Sequence, residues 1–451
     1  MRQVGNFKNF IYYFRYILFY NLIAFCYLPI TFIKRVVFGK DNYWKQYFFS
    51  KWGYFPKNLK HELINKKVIL IDALSLGEVE QIKKLTSLLK KNNKSYKIVL
   101  FTNNKDAFYL AKKNIYIDYV IDSCWDISFI ARKLLHEIKP HLILVIENAH
   151  FPNLLKEAKK LNIINVLCSG FYPDGWDQNE SMKRTFYLEF YKYIDYILVK
   201  NKTDLSNFSK LKFNFVKEVL GDLKFDVYTE ILNQGQIEEF REGLGFKGND
   251  FVIVVGSIHK YEVDFFMNAL KEIKVNKPNV KLLLAPRWLT DVKYIQDKCA
   301  SNNFNYRLRS VNSNNDFDIF ILDTYGELKK VYSLSEIVFI GGSLKKNLRV
   351  KELKRWQGLC HNVIEPLVYS KPIFFGRNIQ FRKNILNDFL KIDQCFMVDT
   401  PNDFSEALKK VFSDHSLPLK VKEVSVNFIE ANKDVSKKYF QRINSILLSI
   451  P

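Results

Sequence analysis

Cysteine is scarce and scattered: six in 451 residues, at positions 26, 124, 168, 299, 360 and 395. None stands in a C-x-x-C pair, which argues against a zinc ribbon or a thioredoxin-type centre, and nothing suggests a disulfide framework. A reducing compartment fits that usage. Glycine (17) and proline (12) are too few for a collagen-like or linker-dominated chain. Acidic residues are outnumbered, 47 against 69 Lys and Arg, which leaves a net charge of +22. Such an excess implies an anionic partner: a phosphorylated substrate, an anionic membrane or nucleic acid. No recognisable nucleic-acid module accompanies it, so a specific nucleic-acid partner is not expected.

What the chain does have is apolar mass. Hydrophobic residues make up 48%, with 39 Phe and 25 Tyr, enough for a packed core. The length points to two domains of roughly 150–200 residues each. Residues 17–33, ILFYNLIAFCYLPITFI, are apolar apart from Asn21 and Thr31, with Arg15 before them and Lys34 and Arg35 after. No small-residue cleavage site follows, which disfavours a removed signal peptide. The run is at the lower limit for crossing a bilayer. Pro29 and the basic flanks also fit a helix lying in the interface, and an apolar helix packed on the soluble body is the plain alternative. Membrane contact is the expectation.

Beyond residue 60 short apolar runs alternate with amphipathic, Lys-rich segments. Strands are predicted at Lys67–Ala73, Tyr96–Thr102, Tyr116–Asp122, Leu142–Glu147, Ile164–Cys168 and Tyr193–Val199. A second series is predicted at Phe251–Gly256, Val280–Ala285, Phe317–Leu322, Ile337–Ile340, Pro372–Phe375 and Cys395–Val398. Helical patterns between them include Val79–Lys91 and Asp126–Ile138, and Val421–Ile450 reads as one long helix. This βαβ alternation predicts parallel, doubly wound sheets, here two Rossmann-like domains facing a central cleft. The expected division is a membrane-associated segment 1–40, a first Rossmann-like domain 41–225, a second Rossmann-like domain 226–420 and a C-terminal helix 421–451. Ligands of such folds bind beyond the carboxyl ends of the strands.

The informative residues stand there. Ser75-Leu76-Gly77-Glu78 follows the first strand: Gly77 allows close backbone approach, and Glu78 can take a proton from a hydroxyl. S-x-x-E is equally a capping box, in which Glu78 bonds back to Ser75. Glu147 ends the fourth strand and can hold a substrate or orient a base; a solvated loop acid is the alternative. Gly221-Asp222-Leu223-Lys224-Phe225-Asp226 offers Lys224 to an anionic group, or is a surface turn. Gly256-Ser257-Ile258-His259 offers backbone N–H groups and an imidazole to a phosphate. Arg287, after Ala285-Pro286, suits bidentate binding of a phosphate, or is a surface ion-pair residue. Asp323-Thr324-Tyr325-Gly326-Glu327-Leu328 has capping-box spacing. Gly341-Gly342-Ser343 makes a phosphate-tolerant turn without the G-x-G-x-x-G dinucleotide fingerprint. In His361-Asn362-Val363-Ile364-Glu365-Pro366, His361 and Glu365 would share a face if helical, and Glu365 can accept from vicinal ribose hydroxyls. A metal site would need more ligands than the chain supplies.

Singly these motifs are weak, but their order resembles that of the Kdo transferases over roughly residues 60–410. That family comprises inverting GT-B enzymes that move 3-deoxy-D-manno-octulosonic acid (Kdo) from CMP-Kdo to lipid A precursor. Many members carry an N-terminal membrane anchor, which matches residues 10–35. The resemblance implies Glu78 as general base. It places Gly256, Ser257, Arg287 and the Gly341–Ser343 turn around the CMP phosphate, and Asn362 and Glu365 at the nucleotide, Glu365 on the ribose. Lys224 matches the Lys of the family's junction motif. No metal, no cofactor beyond the CMP-Kdo donor and no covalent glycosyl-enzyme are implied. The chain departs from the family at Trp288 after Pro286-Arg287, at Cys360 before His361, and at Ala149 in Glu147–Pro152. It also lacks an N-x-R-x-S element at Cys168–Gly175. The donor half is thus kept better than the acceptor half. The expected enzyme is a CMP-Kdo-dependent glycosyltransferase of lipopolysaccharide synthesis, with a lipid-linked acceptor and an anionic membrane surface as partners. It would sit at the cytoplasmic face of the inner membrane. The rivals are a diverged GT-B transferase with another CMP-activated acid or acceptor, and a catalytically silent membrane-surface binding protein.

Overall fold

Val68-Ile69-Leu70-Ile71 is apolar on consecutive residues because its strand is covered on both faces. Val68 and Leu70 enter one core with Phe101, Ile130 and Leu134, while Ile69 and Ile71 enter another with Val79, Leu85 and Tyr439. Each such aliphatic side chain contributes roughly 1.5–3 kcal/mol on burial. The computed structural model describes residues 49–450 apart from 56–57, 149, 173–181, 229–231, 312–314, 345–359 and 379–394. The apolar run 17–33, Pro173–Gly175 and Gly358–Leu359 therefore lie outside the described residues. Among the described residues no helix is long and apolar enough to cross a membrane.

The first sheet contains β1 (Val68–Asp72), β2 (Lys97–Thr102), β3 (Tyr119–Asp122), β4 (Leu142–Ile146), β5 (Ile164–Gly170), β6 (Tyr196–Val199) and β7 (Val216–Val219). The second contains β8 (Phe251–Ile258), β9 (Val280–Pro286), β10 (Tyr306–Leu308), β11 (Ile319–Ile321), β12 (Ile337–Ile340), β13 (Ile373–Phe375) and β14 (Cys395–Met397). Their orders are β3-β2-β1-β4-β5-β6-β7 and β10-β11-β9-β8-β12-β13-β14. Every pair is parallel. In each sheet the order reverses beside the first strand, β1 or β8, the switch point at which doubly wound sheets bind ligands.

The chain forms two compact units: one runs to Val227 and includes Asn432–Pro451, the other is Tyr228–Ala431. Two helical expectations are corrected. The tail is not one helix but two, Leu417–Ala431 and Val435–Ser449. Asp434, with φ +57°, turns the chain between them in a left-handed conformation that Asp tolerates. The terminal helix then belongs to the first unit, burying Val435, Tyr439, Ile443 and Leu447 in its core. The pattern over Val79–Lys91 likewise splits into helices Leu76–Gln81 and Lys83–Asn92, because fully buried Ile82 turns its amide onto the Glu80 carbonyl.

Candidate active site

In the first unit Glu78 closes a capping box. Ser75 caps the helix Leu76–Gln81: its Oγ accepts from the Glu78 amide at 3.2 Å. Glu78 Oε2 accepts from the Leu74 amide at 2.6 Å and the Ser75 amide at 3.3 Å. The cap therefore occupies one carboxylate oxygen, and Oε1 has no hydrogen-bond partner among the described residues. Burial raises the Glu78 pKa above the ordinary glutamate value, opposed by the nearby His150 charge. Gly77 is exposed, and a Cβ there would have only Ser75 Oγ within reach, at 4.0 Å.

Glu147 is not a solvated loop acid. It stands one residue past β4 with φ +62° and accepts from Lys200 Nζ at 3.1 Å and Gln81 Nε2 at 3.3 Å, while Lys224 forms a third, shorter contact. Burial opposes its charge, but Lys200 and Lys224 bring its pKa down to about 2. Lys200 also pairs with Asp222 at 3.1 Å. Burial lowers the Lys200 pKa, yet the charges of Asp222 and Glu147 leave it raised. The junction motif is no surface turn either. Asp222 and Asp226 are buried, Leu223 is fully buried, and its amide donates to Ser169 Oγ at 3.0 Å. Asp226 accepts from the Ser436 amide and pairs with Lys84 at 3.3 Å, which fastens the terminal helix. Lys224 is thereby carried on a fixed short helix, Leu223–Tyr228.

The second unit holds its motifs differently. Gly256 and Gly341 serve packing within the unit. A Cβ on Gly256 would lie 1.9 Å from Tyr332 Oη, and one on Gly341 would lie 2.3 Å from the Ser257 carbonyl oxygen. Ser257 has φ +57° at a bulge in the β8–β9 pairing. Glu262, fully buried, accepts from the amides of Gly342 at 2.9 Å, His259 at 3.0 Å and Leu344 at 3.2 Å. The Gly342 amide that the sequence offered to a phosphate is therefore engaged by a protein carboxylate. Ser343, also fully buried, accepts from the Gly376 amide at 2.9 Å.

His361 precedes the helix Ile364–Val368, so it shares no helical face with Glu365. Its Nε2 instead meets His259 Nε2 at 2.8 Å, with the rings stacked 5.1 Å apart. Asn362 donates to Glu365 Oε1 at 3.0 Å. Arg287 is exposed beyond β9, lies over the Trp288 ring at 5.0 Å, and makes no ion pair among the described residues. Thr324 donates to Glu327 at 2.5 Å, and Glu327 grips Arg309 at 2.9 Å, so this motif ties loop to loop rather than capping a helix. Strand adjacency brings Ser257, Arg287 and Gly341 to neighbouring strand ends of β8, β9 and β12.

Five residues at or near these strand ends were not anticipated: Asp72, Gln81, His150, Lys200 and Glu262. Two had a sequence signal. Lys200 directly follows the apolar strand Tyr196–Val199, and Glu262 stands three after His259, a third capping-box spacing. No group of three metal-ligating side chains occurs among the described residues.

Two parallel, doubly wound sheets in one chain, with polar residues gathered at their carboxyl ends, define the GT-B class. A glycosyltransferase from Rickettsia africae shares the fold: TM-score 0.55 over 86% of this chain and 99% of that one, at 14% identity. Sequence carries the assignment further. Residues 46–227 match the family model described as 3-deoxy-D-manno-octulosonic-acid transferase (kdotransferase). A 3-deoxy-D-manno-octulosonic acid transferase of Rickettsia bellii is 24% identical over 94% of this chain and 98% of its own length. A bifunctional glycosyltransferase/methyltransferase of Fusobacterium nucleatum is 26% identical over 86% of this chain, which spans 59% of that protein. The chain is thus similar to Kdo transferases along most of its length, with the family model matching its first unit.

Proposed function

We propose that the protein transfers Kdo from CMP-Kdo to a lipid A precursor in one inverting step. The observation that carries this reading is Glu78: a buried carboxylate beyond β1 whose Oε2 is fixed by two backbone amides while Oε1 is unengaged among the described residues. Oε1 accepts the proton of the acceptor hydroxyl as its oxygen bonds to the anomeric carbon. The bond from that carbon to the phosphate oxygen breaks on the opposite face, and CMP leaves with the bonding pair. Arg287, exposed and unpaired among the described residues, offers its guanidinium to the departing phosphate. Asn362 and Glu365 hold the nucleotide, Glu365 at the ribose. The reaction as proposed uses neither a metal nor a cofactor besides the donor.

Mass analysis of lipid A precursor after incubation with CMP-Kdo tests the activity, the expected product being heavier by one or more Kdo units. Glu78→Gln should lower turnover about a hundredfold or more, with a stability change of only about 1 kcal/mol. A stable variant with near-normal turnover would leave Glu78 as a cap alone. The acceptor is membrane-borne, so we place the enzyme on the cytoplasmic membrane face, held by residues 17–33 and the surrounding basic groups. Deleting residues 1–36 should release the protein from anionic liposomes in high salt and spare CMP binding. Equal liposome binding with and without the segment would remove the anchor.

A further inference from the structure

A second group of titratable residues lies beside Glu78, and neither the cap nor the Glu147 network uses it. Asp72 closes β1, and β1 pairs with β4 in the register Asp72 to Val145, so the loop leaving β4 passes beside it. From that loop His150 Nδ1 comes to 3.7 Å from Asp72 Oδ2, a charge-pair distance. The Asp72 side chain is only 2% exposed. Neither Asp72 Oδ1 nor His150 Nδ1 has a hydrogen-bond partner among the described residues. The charges facing His150 come from three elements: Asp72 at the end of β1, Glu78 in the helix after it, and Glu147 in its own loop. Lys200 and Lys224 face this neighbourhood too, but their ammonium groups are engaged by Glu147, and Lys200 also by Asp222. Among the described residues, His150 is the cation left to answer Asp72 and Glu78.

We propose that Asp72 and His150 form a positioning dyad for Glu78: Asp72 holds His150 in its imidazolium form, and that charge keeps Glu78 an ionised base. The role rests on the reading of Glu78 given above. Electrostatics agrees with the geometry. Burial raises the pKa of both carboxyls, and the His150 charge opposes it in each. Burial lowers that of His150, but Asp72, Glu78 and Glu147 outweigh it and leave the imidazole raised. Glu78 thus sets the acid limb of activity, and the His150 charge holds that limb at lower pH than burial alone would.

The test is an imidazole NMR titration of the full chain. It has seven histidines, and His150→Gln assigns the resonance by its loss. The His150 midpoint should lie above that of an ordinary histidine and should move to lower pH in both Asp72→Asn and Glu78→Gln. An unmoved midpoint in Glu78→Gln would show that the two groups are not coupled and would overturn the dyad, whatever the turnover of that variant. In rate profiles, His150→Gln should move the acid limb to higher pH, because Glu78 loses the charge that favours its ionised form. A uniform loss of rate in His150→Gln with the acid limb unmoved would mark a merely structural role and overturn the proposal. Wild-type turnover in Glu78→Gln with a shifted His150 midpoint would instead remove the base itself: the coupling would stand, but the dyad would have no base to position.

Discussion

The two sheets run alike, seven parallel strands each, yet their carboxyl ends are built from different materials. In the first unit the strand ends carry charged side chains that answer one another: Asp72 with His150, and Glu147 with Lys200 and Lys224. In the second they carry glycine and serine, and the backbone does the joining. The Gly341 amide donates to the Gly256 carbonyl at 2.8 Å, and buried Glu262 gathers the amides of the following turn. Charged side chains can exchange partners when a substrate arrives. A lattice of backbone bonds offers a fixed shape instead. A glycine at a strand end therefore does not by itself mark close approach of a ligand: Gly256 and Gly341 are fixed by the protein's own atoms, whereas Gly77 is not.

The strongest way to break this contrast is a paired alanine substitution. At Gly341 the added Cβ would lie 2.3 Å from a backbone oxygen of Ser257, which no side-chain rotation can relieve. Overpacking of this kind costs about 1–3 kcal/mol or more, so Gly341→Ala should visibly lower the thermal midpoint of the second unit. Gly77→Ala meets nothing nearer than 4.0 Å and sits in a helix. It should leave stability unchanged or raise it by up to about 1 kcal/mol. Equal melting of the two variants would show that the second unit tolerates side chains where its backbones touch.

Glu262 allows a sharper test, because its buried carboxylate joins three amides of that lattice. Burial raises its pKa from 4.5 to about 7, even against the amides of Gly342, His259 and Leu344. Between those values the folded unit holds a proton that the unfolded chain has released. Its contribution to stability is therefore full below pH 4.5, falls as pH rises to about 7, and is flat above. Glu262→Gln should remove that slope from denaturant unfolding measured across the range. It should also lose about 1 kcal/mol or more, since an amide nitrogen must then face a backbone N–H. An unchanged slope would mean that other groups govern the unit's pH response.

Much of this was legible in order but not in partnership. Consecutive apolar residues gave away β1, β4, β8 and β12, since a strand covered on both faces has no polar side to show. Val216–Val219 and Tyr306–Leu308 escaped notice because both are short edge strands with exposed residues. Ser75 and Glu78 were readable because a cap joins near neighbours in sequence. Asp72 with His150, and His259 with His361, were not: each pair meets only after strands far apart in the chain lie side by side. The two-helix tail hid for the same reason. Its break at Asp434 makes sense only once Asp226 and Lys84 are seen at the foot of the terminal helix.

The smallest expected effect on stability belongs to Arg287, and it tests whether the second unit relies on its backbone alone. The side chain is exposed, leans on Trp288 and has no ion pair among the described residues. Arg287→Ala should therefore change stability by no more than about 0.5 kcal/mol. If the guanidinium meets the donor phosphate, CMP binding should nevertheless weaken by about 1–3 kcal/mol, read by calorimetry. Arg287→Lys separates charge from geometry: it keeps the cation but loses the planar fork, so it should recover only part of the affinity. Full recovery by Lys would reduce the role to a point charge near the phosphate. Unchanged affinity in both Arg287→Ala and Glu365→Ala would remove the proposed nucleotide site from the second unit, and its glycine-lined strand ends would then be scaffold alone.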